Sequence, residues 1–121
     1  MRRSRPTLFL FGSRAKGNPR PGSDWDFFVL LNPVPTEKEF LRGTGLEEFE
    51  EMVRRMRGLL GKGAVLHPFV VVRVDGGYTL VGPDRDEPLE PWLVPDRIPK
   101  VWGSIEEMVR ELGAKIWEEV S

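Results

Sequence analysis

Two apolar runs, TLFLF at residues 7–11 and DWDFFVLL at residues 24–31, flank a polar loop that cannot continue either of them. The loop, GSRAKGNPRPGS from Gly12 to Ser23, contains three Gly and two Pro. Residues of that kind, clustered between periodic segments, mark a loop. Short apolar runs bounded by turn residues read as strands, and TLFLF has the composition of one buried on both faces. The longest uninterrupted apolar stretch, FFVLL at 27–31, is far below the roughly 20 residues a membrane span needs. The first residues carry no hydrophobic signal region, so a cytoplasmic protein without a membrane partner is expected.

The rest of the chain follows from periodicity. Thr36-Glu37-Lys38-Glu39, Thr44-Gly45-Leu46-Glu47 and Ser104-Ile105-Glu106-Glu107 each match the capping box that opens helices. After the second, Leu46, Phe49, Met52, Val53, Met56, Leu59 and Leu60 form one helical stripe, which Gly61 and Gly63 end. AVLHPFVVVRV at 64–74 and YTLVG at 78–82 read as an antiparallel hairpin turning at Asp75-Gly76-Gly77. Residues 83–103 hold five Pro with Trp92 and Trp102, an irregular segment expected to lie over the sheet. Ile105, Met108, Val109, Leu112, Ile116 and Trp117 form the stripe of a terminal helix. One domain over 1–121 is expected: a core at 7–82, the Pro-rich segment at 83–103 and a C-terminal helix at 104–120. Trp92, Trp102, Phe40 and Leu93 either pack inside this domain or form an apolar contact surface for another chain.

Composition narrows the chemistry. There is no Cys and one His, which excludes thiol catalysis, disulfides, a zinc finger and an iron–sulfur cluster; a metal would be held by oxygen. The lone histidine, His67, sits in an apolar strand beside Pro68 and reads as a core or sheet-edge residue. The net charge of −1 conceals a polarity: residues 1–23 carry six bases and no acid, and the other 98 carry 12 bases and 19 acids, a split of +6 and −7. A basic segment leading into acids suits phosphates and a divalent cation better than it suits duplex nucleic acid.

Asp24 and Asp26 are two apart at a strand start, so both carboxylates project to one face, with Phe28 and Leu30 continuing that face inward. Repelling carboxylates so placed accept a divalent cation such as Mg²⁺, which leaves positions for water and substrate phosphate. Gly12 allows close approach of a ligand to the backbone, and Ser13 offers an amide and a hydroxyl. Ala15 and Gly17 keep the loop slim; Arg14, Lys16 and Arg20 add positive charge. The spacing is neither that of the Walker loop nor that of dinucleotide binders.

Taken together, LFLFGSRAKG followed by SDWDFFVLL resembles the minimal nucleotidyltransferases of the DNA polymerase beta superfamily. Their signature is Gly-Ser, ten residues, then Asp-x-Asp between hydrophobic strands, matched here by Gly12-Ser13, residues 14–23 and Asp24-Trp25-Asp26. The resemblance is carried by residues 7–31. It implies an α+β nucleotidyltransferase fold, a small mixed sheet with helices packed mainly on one face. It also implies a nucleotide-binding loop of Gly12, Ser13, Arg14, Lys16, Gly17 and Ser23. Asp24 and Asp26 would be the catalytic carboxylates, holding Mg²⁺ in a one- or two-metal site, with ATP as the expected nucleoside triphosphate.

The family pattern places a third carboxylate on the strand after the helix, but VLHPFVVV has none, and Asp75 in its turn is the nearest candidate. Six residues precede Thr7, so the terminal helix is expected to cover the face that the family covers with a helix before its first strand. The implied activity is transfer of a nucleoside monophosphate to an acceptor hydroxyl. The acceptor could belong to a helical, HEPN-like toxin that this chain would silence as an antitoxin; a second copy of the chain is the other candidate partner. A nucleotide- and metal-binding module that only docks on its partner is the alternative, and an RNA-binding role ranks below both because no recognition motif with paired aromatics is present.

Overall fold

Alternation along the second apolar run decides the architecture. In β2 (Trp25–Asn32), Phe27, Val29 and Leu31 bury on one side and Phe28 on the other, none more than 1% exposed. A strand covered on both faces belongs inside a sheet. In the computed structural model, which describes residues 4–12, 15, 17, 24–82 and 100–117, β2 is the middle of five strands ordered β4-β3-β2-β1-β5. Ser13, Arg14, Lys16, Ser23, Trp92, Leu93 and the end of the expected terminal helix lie outside the described residues.

β1 (Ser4–Phe11) pairs antiparallel with β2, setting Phe11 opposite Asp26. On its other side β2 runs parallel to β3 (Leu66–Val74), setting Asp26 opposite His67. β3 and β4 (Gly77–Val81) form the expected antiparallel hairpin. The parallel pair needs a crossover, and two helices provide it. The first, α1 (Glu37–Leu41), opens with a complete capping box: the Glu39 amide donates to Thr36 Oγ1 at 3.1 Å and the Thr36 amide to Glu39 Oε1 at 2.8 Å.

The second, α2 (Leu46–Leu60), starts differently from the expectation. Its N-cap is Gly45 at φ 81°, with no side-chain cap bond, so the box written at Thr44 is not formed. Gly45 accepts a left-handed backbone that Thr44 could not, and the helix begins one residue later. The stripe itself buries Phe49, Met52 and Met56 against Leu8, Phe27, Val29, Leu31 and Val70.

α3 (Ile105–Leu112) covers the opposite face, where Met108 joins Phe9, Phe11, Phe28, Phe69, Val71 and Trp102. Ser104 caps it through Glu107 N at 3.1 Å. The helical stripe does not continue to Ile116 and Trp117. Gly113 takes φ 65° and stops the helix, and the chain reverses into β5 (Lys115–Ile116) beside Phe9 and Leu10 of β1. Trp117 donates its amide to Leu8 O at 2.9 Å and packs its ring at a tilt against Trp25, centroids 5.4 Å apart.

Phe40 and Trp102 are core residues, 3% and 2% exposed, and so belong to no contact surface. Trp102 exchanges two backbone bonds of 2.8 Å with Tyr78, and its indole donates to Glu111 of α3, which also pairs with Lys100. The result is an α+β fold around a mixed sheet, with α1 and α2 on one face and α3 on the other. Among the described residues no helix is long and apolar enough to cross a membrane.

Candidate active site

The end of β1 and the start of β2 lie side by side, and the chain between them leaves β1 through Gly12 at φ 73°. A Cβ on Gly12 would stand 2.5 Å from Asp26 Oδ2. Glycine is therefore required twice here, by the left-handed backbone and by the carboxylate pressed against it. Gly17, also at positive φ (80°), has open space around its Cα, so its requirement is conformational alone. Ala15 is buried at 5% exposure.

Asp24 and Asp26 flank Trp25, whose amide donates to Val65 O at 2.8 Å and ties the start of β2 to the chain entering β3. Trp25 packs toward the α2 face, and alternation sends both acids to the face of Phe28 and α3. The parallel register brings in His67: its Nδ1 lies 3.1 Å from Asp26 Oδ1 and 3.9 Å from Asp24 Oδ2. Ligand atoms of all three residues fall within 4.8 Å of one another. Side-chain exposures of 32% for Asp24, 27% for Asp26 and 23% for His67 leave the cluster in partial contact with solvent.

Burial raises the pKa of Asp26 above the usual carboxylate value; the His67 hydrogen bond and charge oppose that shift, and the Asp24 charge adds to it. A carboxylate so poised gains most from a neighbouring cation. The donor set fits a divalent ion: two carboxylates and one imidazole whose ligand atoms converge while each side chain stays partly exposed.

Of the residues singled out in the sequence, Gly12, Asp24 and Asp26 are brought together. Asp75 is not: it follows β3 at the end opposite His67, eight residues and about 26 Å along the strand. There it lines a shallow cavity of about 700 Å³ with Thr36, Lys38, Arg73 and Thr79, far from the acids. His67, expected as a core or sheet-edge residue, is partly exposed, with its ring 5.3 Å from that of Phe69 and its Nδ1 facing the carboxylates. The available signal was its position at the start of the strand after the helix, where a parallel crossover sets it beside the start of β2.

A family model described as a nucleotidyltransferase domain matches residues 2–75, a span that contains β1, β2, both crossover helices and β3. Neither curated proteins nor solved structures yield a significant match. The matched span covers more than half of the chain and includes Gly12, Asp24, Asp26 and His67, so the chain belongs to the nucleotidyltransferase domain family, whose general activity is nucleotidyl transfer.

Proposed function

We propose that this chain transfers a nucleoside monophosphate from ATP to an acceptor hydroxyl, with Asp24 and Asp26 holding a divalent cation such as Mg²⁺. The observation that carries the reading is the convergence of Gly12, Asp24 and Asp26 at one end of the β1–β2 pair. The acceptor oxygen forms a bond to the α-phosphorus, the bond from that phosphorus to the β-phosphate bridging oxygen breaks, pyrophosphate leaves, and the hydroxyl proton passes to solvent. A bound divalent cation supplies charge neutralisation for the triphosphate and the leaving pyrophosphate. The chain's own contribution is positioning. Gly12 admits phosphate to the backbone, Ser13 and Ser23 supply hydroxyl groups, and Arg14 and Lys16 supply positive charge to the loop.

The acceptor fits a hydroxyl on a helical partner protein, modified as in toxin–antitoxin pairs. A second reading, a module that binds nucleotide and metal but only docks, is favoured by one observation: β3 carries no carboxylate beside Asp26. Titration calorimetry is expected to show ATP binding at least tenfold more tightly with Mg²⁺ than in chelator, because each ligand lowers the electrostatic cost of the other. Equal affinity in both buffers would count against the site. Labelled ATP with candidate partner proteins then separates the two readings: transfer of label supports the enzyme, and coupled binding without transfer supports the docking module.

A further inference from the structure

We infer that His67 is a third metal ligand, completing an Asp24–Asp26–His67 site whose nitrogen donor makes it select Mn²⁺ over Mg²⁺. The inference rests on the metal-dependent reading above and deepens it. The three residues come from two strands whose register is fixed by backbone pairing, Asp26 directly opposite His67 and Asp24 two residues before Asp26 on the same face. Pro68 follows His67 and restricts it to extended conformations, so the imidazole starts from a fixed backbone direction.

The distances suit coordination. Adjacent donors around an octahedral ion with bonds of about 2.1 Å are separated by about 3 Å, and opposite ones by about 4.2 Å. The Nδ1 separations of 3.1 Å and 3.9 Å from the two carboxylates fall in that range. An orienting hydrogen bond to Asp26 would need only the first of these approaches. Coordination replaces the hydrogen bond from Nδ1 to Asp26: with the proton on Nε2 instead, the Nδ1 lone pair faces both acids.

Imidazole nitrogen changes the choice of ion. Mg²⁺ takes oxygen donors and gives up its water reluctantly, whereas first-row transition ions accept nitrogen readily. Mn²⁺ keeps the octahedral, oxygen-tolerant habit that two aspartates and a triphosphate demand, and it accepts the third, nitrogen donor as well.

Mn²⁺ itself is the probe, added to the full chain with and without ATP and followed by electron paramagnetic resonance. Pulsed spectra of the wild-type protein are expected to show coupling from a directly bound ¹⁴N. Competition with Mg²⁺ is expected to give a Mg²⁺-to-Mn²⁺ dissociation-constant ratio that drops at least tenfold in His67→Asp, where the donors are all oxygen. Bound Mn²⁺ without ¹⁴N coupling would overturn the inference, leave the nucleotidyltransferase reading standing, and reduce His67 to a hydrogen-bond partner of Asp26. Absence of Mn²⁺ binding even with ATP would overturn both. The wild-type spectrum recorded without ATP, whose adenine can itself supply a ¹⁴N, decides the matter should His67→Asp fail to fold.

Discussion

Asp26→Asn is expected to lose at least about a hundredfold in nucleotidyl transfer and to melt at a higher temperature than the wild type at neutral pH. The first effect follows from the position of the carboxylate between Gly12 and His67. Losing a hydrogen-bond partner of a metal ligand commonly costs 10- to 100-fold, so loss of Asp26 as the proposed ligand should cost at least the upper end of that range. The second effect follows from burial. The folded, metal-free protein holds Asp26 above its ordinary pKa of 3.8, so it binds the proton more tightly than the unfolded chain does. The stability this confers is fully present below pH 3.8 and declines as pH rises through the raised folded value, leaving neutral protein with a partly buried charge that Asn lacks. Thermal melts in chelator at pH 3.5 and pH 7 test the sign: the advantage of Asn should be larger at pH 7. A variant that kept its transfer rate, or gained no advantage between those pH values, would contradict the assignment.

Gly12→Val is expected to damage stability and binding together. A β-branched residue at φ 73° carries strain of about 1–3 kcal/mol, and its Cβ cannot share space with Asp26 Oδ2. The carboxylate must swing away, and affinity for ATP with divalent metal should fall by at least tenfold. Gly12→Ala keeps the same Cβ conflict without the branch and should fall between the two in calorimetry and urea denaturation. Wild-type affinity in Gly12→Val would mean that neither the turn nor Asp26 takes part in nucleotide binding.

What could be read from the chain was local. The strand, loop and strand at residues 7–31 announce themselves by apolar runs and Gly/Pro punctuation, and the two acids share a face because strands alternate. The α2 stripe was legible for the same reason, although its first residue was not: Thr44 and Gly45 are adjacent, and only backbone conformation decides which of them caps. His67 escaped because its meaning is non-local. It lies 41 residues from Asp26, and only the strand–helix–strand order that makes β2 and β3 parallel hints that the two are joined. The end of α3 escaped because Ile116 and Trp117 continue a helical spacing by coincidence, while Gly113 turns the chain.

That turn has a kinetic consequence. β5 docks a two-residue strand, both residues exposed, onto a β1 segment more than a hundred positions earlier in the chain. Closing so long a loop costs entropy that two residues of pairing repay poorly, so the α3–β5 unit is expected to dock last and detach first. In native-state hydrogen exchange, the Trp117 amide should exchange through a partial opening, well before the amides of β2. Each such opening would bare the aromatic face shared by Phe9, Phe11, Phe28 and Phe69. The wall beside the acids would then be a door hinged ahead of Ile105, opening on its own timescale while the central strands stay closed.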